Sequence, residues 1–380
     1  MRSLDTARSV CERFHPGLLK ELEESPYRER ERPGSPAIDL FRIHGGVGLL
    51  IPEEFGGHGA EPLDALRVQL ALGSVSPSLV AAVSMHHFTV AMLYSLAGTS
   101  GRLTEEQTTL LHRIVPDQQV LASGWAEGRT AQNVLKPAVV ARPVEGGFLL
   151  SGAKKPCSLS RSMRLLTASV ALYSDDDAEP ELALALVPAD SPGLSVHPFW
   201  ANELLAGAES DEVRLTDVFV PHGLMVRAGA DDPGRLDDLQ SAGFVWFEML
   251  ISAGYLGGAM WLVEQVLDRE RGTAMERAAL AVDLEAAVAL LEGVARATGP
   301  GPGDEDSVAR VLVARYAVQS ALPDIASRAL ELLGGLEFIR GGEATQIAPA
   351  LRALAFHPPS RSSGAEPLLQ YFDGGSLVLA

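Results

Sequence analysis

The spacing of apolar residues changes twice along this chain. Over 61–98, "EPLDALRVQLALGSVSPSLVAAVSMHHFTVAMLYSLAG" carries apolar side chains at helical intervals, with a break at Ser76-Pro77, so two helices are expected there. "LTEEQTTLLHRIV" (103–115) opens with Thr104 followed by acids, the composition of a helix start. From about 119 the period shortens. "AVVARPVEGGFLLSG" (138–152) reads as a hairpin closed by Gly-Gly; "RLLTASVALYS" and "ELALALVPA" read as strands separated by the polar "DDDAEPE", and "EVRLTDVFVPHG" adds a strand that stops at a proline. Helical spacing then returns to the end, with a long apolar helix through "SAGFVWFEMLISAGYLGGAMWLVEQVLDRERG", a second over about 275–297, and a third that closes on Gly-Gly. The pattern predicts an α+β, mainly α protein. Its expected parts are an N-terminal helical domain (1–118), a middle β-barrel or sandwich domain (119–230) and a C-terminal helical bundle (231–380). Helices this apolar belong against other helices or a second subunit.

Composition narrows the function classes. The 380 residues carry a net charge of −18, which argues against nucleic acid or an anionic membrane surface as partner. Two cysteines, Cys11 and Cys157, lie far apart and form neither a disulfide framework nor a zinc pattern. The nine histidines show no ligand spacing, so no metal is expected. No apolar leader opens the sequence and no segment reads as a membrane span, so a reducing, cytoplasmic setting is expected.

One residue breaks its surroundings. Glu248 is the single charged side chain in "FVWFEMLISAGYLGG" (244–258). A buried carboxylate shifts its pKa or finds a partner. The plain alternative is a helix that begins near Gly243, with Glu248 facing solvent at its positive end.

Four stretches resemble the acyl-CoA dehydrogenase family, in family order: "LLIPEEFGGHGAEPLDALRV" (49–68), "GGFLLSGAKKPCSLS" (146–160), "VRLTDVFVPHGLMV" (213–226) and "ALELLGGLEFI" (329–339). The resemblance implies noncovalent FAD, a homodimer or homotetramer, and dehydrogenation of an acyl thioester carried by coenzyme A or an acyl carrier protein. It implies a flavin contact from Ser158, a flavin-edge segment over Trp125–Thr130 (Trp125 and Thr130 included), a diphosphate contact from Arg269, and a backbone approach at Gly334 and Gly335. The chain departs from the family in places: Pro156 replaces a flanking tryptophan, Pro349-Ala350 an Arg-Asp pair, and Pro358 the usual loop carboxylate. Two subgroups, similar to isovaleryl-CoA and long-chain dehydrogenases, place the base on the first long helix of the bundle, five and six residues before Ala-Gly. Glu248 precedes Ala253-Gly254 in that way, so the resemblance implies Glu248 as the α-proton base. A flavin-dependent monooxygenase on the same fold is the competing expectation, carried by "KKPCSLS" and by His357 in "AFHPPS", with reduced flavin from a separate reductase. The third is a family member that binds a thioester or a partner without catalysis.

Overall fold

Pro77 starts a helix one residue after another has ended, and a buried acid secures the junction. Helix α5 (Pro62–Val75) closes at Ser76, and α6 (Pro77–Ala97) follows. The Ser78 N–H donates to Glu31 Oε2 at 2.9 Å, and the Ser76 hydroxyl donates to Glu31 Oε1, so one carboxylate serves orphan donors at a helix start. The computed structural model describes residues 1–97, 103–128, 136–173, 180–227, 235–299 and 304–377, with the backbone alone over 235–240.

The N-terminal helices are α1 (Arg2–Phe14), α2 (Leu18–Glu24), α3 (Tyr27–Arg30), α4 (Ala37–Ile43), α5, α6 and α7 (Glu105–Ile114). Thr104 and Gln107 form a reciprocal capping box at the start of α7. The middle of the chain is an eight-stranded sheet: β1 (Leu121–Gly124), β2 (Val140–Val144), β3 (Gly147–Cys157), β4 (Leu165–Leu172), β5 (Glu181–Pro188), β6 (Leu194–His197), β7 (Asp211–Pro221) and β8 (Met225–Arg227). The order is β6-β7-β3-β2-β4-β5-β8, and β1 pairs in parallel with β4. The expected hairpin forms, but it turns at Glu145-Gly146, one residue before the Gly-Gly pair that signalled it, and Gly147 already pairs in β3. Every residue of β4 is buried, so it carries no charge, and its only polar groups are the small hydroxyls of Thr167 and Ser169.

The C-terminal bundle comprises α8 (Arg235–Asp268), α9 (Ala274–Ala297), α10 (Glu305–Leu333), α11 (Gly335–Arg340), α12 (Glu343–Ala350) and α13 (Arg361–Phe372). Helix α8 lies against α5, α6 and α10. It crosses α5 backbone to backbone: a Cβ on Gly73 would strike the Gly254 carbonyl oxygen, and one on Gly257 the Leu70 carbonyl oxygen. Gly73 and Gly257 are thus packing requirements, and a Cβ on Gly254 would strike the Val80 side chain of α6. Two expectations change here. Helix α8 starts at Arg235 rather than near Gly243, so Glu248 lies well inside it and is 0% exposed. Pro77–Ala97 and Ser241–Asp268 are long and apolar enough to cross a membrane, contrary to the reading of the sequence, but 83% of each apolar window is buried inside the protein.

Helix α6 carries His86 and His87, both fully buried, with ring centroids 6.3 and 5.6 Å from that of Phe41. His86 is integrated: Nε2 meets the Val47 carbonyl at 2.9 Å and Nδ1 accepts the Leu121 N–H at 3.1 Å, joining α6 to β1. Neither nitrogen of His87 has a partner. Burial holds His87 well below its ordinary pKa, with His86 and His15 adding to the effect. The folded ring therefore refuses a proton that the unfolded chain accepts below about pH 6.5, so stability present above that pH is lost as pH falls. His87→Leu should be at least as stable as the parent at pH 7.5. Its advantage should grow by up to about 2 kcal/mol at pH 5. Denaturant unfolding at both pH values checks this, and a difference independent of pH would contradict it.

Candidate active site

Two clusters of buried and half-buried polar groups stand out among the described residues. The first is at one end of the sheet. Strand β1 ends at Gly124 and β3 at Cys157, and the Lys155 N–H donates to the Ala126 carbonyl at 2.8 Å. Trp125 and Ser158 follow those strand ends. The Trp125 indole N–H is enclosed without a partner, and Ser158 Oγ lies 2.9 Å from Ser210 Oγ. Beneath them is a buried ion pair: Lys154 Nζ donates to Glu127 Oε1 at 2.8 Å and to Ser169 Oγ at 3.0 Å, while Glu127 also accepts the Ala138 and Val139 N–H groups. Burial lowers the Lys154 pKa and the Glu127 charge opposes that fall. Cys157 is buried, and its thiol is pushed up to about 12 by burial, so it is no nucleophile.

The second cluster joins α8 to α10 and to the turn before α13. Arg315 Nε lies 2.6 Å from Glu248 Oε2, and both side chains are 0% exposed. The N–H direction misses that oxygen, and neither Glu248 oxygen accepts a hydrogen bond, so the pair acts through charge. Burial pushes the Glu248 pKa up, and the Arg315 charge opposes that rise. The rest of the guanidinium is spent on backbone: Nη1 donates to the Pro359 carbonyl at 3.0 Å, and Nη2 to those of Leu354 and His357 at 2.9 and 2.6 Å. Tyr316 adds its hydroxyl to the Pro359 and Ser360 carbonyls. The His357 ring is packed between Phe247, 5.9 Å away edge-on, and Tyr255, whose hydroxyl oxygen lies 2.9 Å from Nε2. Burial, with the Arg315 charge, holds the imidazole down to about 3, so it is neutral at working pH. Phe88 of α6 meets Phe247 edge-on at 5.3 Å.

The other expected contacts lie apart from both. Arg269 is at the surface, with Nη1 3.1 Å from Glu337 Oε2 and Nη2 2.9 Å from Gln265 Oε1. Gly334, with φ of +91°, joins α10 to α11 and nothing lies near it or Gly335 that a Cβ would meet. Thr130 falls outside the described residues. Among the described residues no group of histidines, cysteines or acids could hold a metal. Arg315 and Tyr255 escaped the reading of the sequence. Arg315 carries the same signal as Glu248, a lone charge in an apolar helical run, "VLVARYAV".

The Acyl-CoA dehydrogenase, N-terminal domain family model matches residues 3–103. The chain belongs to the acyl-CoA dehydrogenase-like family and is a flavin-dependent oxidoreductase of that fold. It is 57% identical, over 379 residues and the full length of both chains, to an isobutylamine N-hydroxylase of Streptomyces viridifaciens. Two solved structures share its fold. KijD3, in complex with FMN and an amino-keto sugar nucleotide, has a TM-score of 0.80 at 20% identity, covering 97% of this chain and 94% of its own. XiaF from Streptomyces sp., in complex with FADH2 and glycerol, has a TM-score of 0.78 at 17% identity, covering 100% and 98%.

The α,β-dehydrogenation of an acyl thioester expected from the sequence is overturned by that full-length identity to an amine N-hydroxylase. The α-proton-base role implied for Glu248 belonged to that reaction. The physical reason is on the helix: the carboxylate is matched to a buried guanidinium.

The sheet-end pair makes its own prediction. Removing one partner of a buried pair costs about 3–5 kcal/mol because the other charge is left stranded. Lys154→Met should lose stability of that order, and Lys154→Met/Glu127→Gln should lose less than the sum of the single losses. Urea unfolding of the set measures this; strictly additive losses would show that the two charges are not coupled.

Proposed function

We propose that this chain is a flavin-dependent monooxygenase that N-hydroxylates a small primary aliphatic amine. The observation that carries the reading is the pairing of Glu248 with Arg315: the carboxylate is not free for an α-proton, Pro358 stands where a loop carboxylate would be, and the neighbouring imidazole is neutral. The identity to an amine N-hydroxylase supports the substrate class. The overall reaction balances as amine plus oxygen plus reduced flavin giving hydroxylamine, water and oxidised flavin. When bound, the reduced flavin supplies two electrons and activates oxygen; a separate reductase supplies it in the cytoplasm.

The residues present fit a flavin. The partnerless, enclosed Trp125 indole N–H would meet a pyrimidine carbonyl, and the Ser158 and Ser210 hydroxyls would hold the polar edge. FMN is favoured over the FAD first expected, because Arg269, the implied diphosphate contact, is taken by Glu337 and Gln265. The contribution of the helical cluster is charge balance. With Glu248 matched by Arg315 and His357 uncharged, nothing there holds an alkylammonium ion, so the free amine with its nucleophilic lone pair is the form selected. Leu336, Phe338 and Ile339 on α11, 66–78% exposed, support assembly as a homo-oligomer, which sedimentation would measure.

Supplied with chemically reduced FMN, oxygen and isobutylamine, the protein should form the hydroxylamine. Its apparent KM for total amine should fall about tenfold per pH unit from 7 to 9, because alkylammonium pKa values lie near 10.4. Under anaerobic conditions an acyl-CoA should not bleach flavin bound to the protein. Bleaching by the thioester, or no product with any small amine, would overturn the reading, and tighter retention of FAD than FMN would overturn the cofactor assignment.

A further inference from the structure

The turn over 354–360 is fastened through four of its carbonyls. Arg315 takes those of Leu354, His357 and Pro359, and Tyr316 takes those of Pro359 and Ser360. A guanidinium fork can satisfy so many acceptors only with its orientation fixed and its charge balanced. Glu248 supplies the balancing charge from α8, and it has no other ionic partner among the described residues. The same helix carries Tyr255 two turns later, and its hydroxyl meets His357 Nε2. So α8 reaches the His357 ring twice, once through Arg315 and the backbone and once through Tyr255. The phenol has no other acceptor among the described residues, so it donates to Nε2 and the neutral imidazole carries its proton on Nδ1. Nδ1 itself makes no hydrogen bond among the described residues and is not enclosed as an unsatisfied atom.

We propose that Glu248 and Arg315 are positioning residues that set the 354–360 turn so that His357, held at Nε2 by Tyr255, presents Nδ1–H as a hydrogen-bond donor to the site where the amine is oxidised. This rests on the N-hydroxylase reading for what is oxidised, but the clamp itself is a property of this chain. The carboxylate that a dehydrogenase would use as a base thus acts two steps away from the reacting atoms, through a guanidinium and a backbone turn. Tyr255 acts on the ring directly, by fixing which nitrogen carries the proton.

Two readouts separate this from a merely stabilising role. The first is the imidazole 15N spectrum of purified protein with oxidised FMN bound, with His357 assigned by its loss in His357→Asn. The parent should show one tautomer, with Nδ1 protonated, from pH 5.5 to 8.5. Glu248→Gln and Tyr255→Phe should each give mixed tautomers and a titration that moves up toward that of a free imidazole. The second is hydroxylamine formed per reduced flavin consumed. Glu248→Gln and Tyr255→Phe should lower it by about tenfold or more, the scale of a small misplacement near a reacting centre. In the His357→Asn background, Glu248→Gln should then have no further effect beyond about twofold. An unchanged 15N spectrum in Glu248→Gln overturns the proposal, as do losses that multiply in the double variant. If Glu248→Gln fails to fold, Tyr255→Phe decides by the same criteria. A parent that makes no hydroxylamine sinks the proposed function, while the spectrum still decides the clamp.

Discussion

A charge cannot be buried alone, and the C-terminal half of this protein is arranged around that fact. Removing a carboxylate and a guanidinium from water costs several kcal/mol each, recovered only where the two meet and the remaining hydrogen-bonding capacity is used. Glu248 on α8 and Arg315 on α10 meet at 2.6 Å with no exposure. The unused guanidinium N–H groups then dictate where a loop must go, because only backbone carbonyls of the 354–360 turn are within reach. The placement of His357 follows from that requirement. Lys154 and Glu127 repeat the logic at the sheet end, where the carboxylate also collects the Ala138 and Val139 N–H groups just ahead of β2.

The fold and the chemistry separate cleanly here. The helical–sheet–helical order, the close crossing of α5 and α8 and the fully buried strand β4 belong to the architecture and would suit several flavin reactions. The chemistry of this chain rests on the electrostatic state of one region, a carboxylate matched to a guanidinium beside an imidazole held neutral. Among the described residues that region offers an ammonium ion no unpaired anion.

The helices and the longer strands were legible because each buries one continuous surface and so repeats with a fixed period. Strands β6 and β8 were not, because four and three residues carry too little pattern and are recruited by pairing with β7 and β5. Glu248 was legible as an anomaly, yet its role was not. The sequence places Ala253-Gly254 after it as a dehydrogenase subgroup does, but a Cβ at Gly254 would strike Val80 of α6, so packing alone accounts for the glycine. Its partner Arg315 lies on a different helix, and no local spacing links the two. The same holds for Lys154 and Glu127, whose pairing depends on β3 passing the end of β1.

A crystal structure of the protein with FMN and an amine bound, at neutral pH, tests the central claim most directly. The account predicts that the Glu248 carboxylate remains at ion-pair distance from Arg315, that the three turn carbonyls keep the guanidinium, and that the amine nitrogen lies clear of Glu248. A Glu248 side chain swung away from Arg315 and in contact with the bound amine, or with the flavin ring, would contradict it.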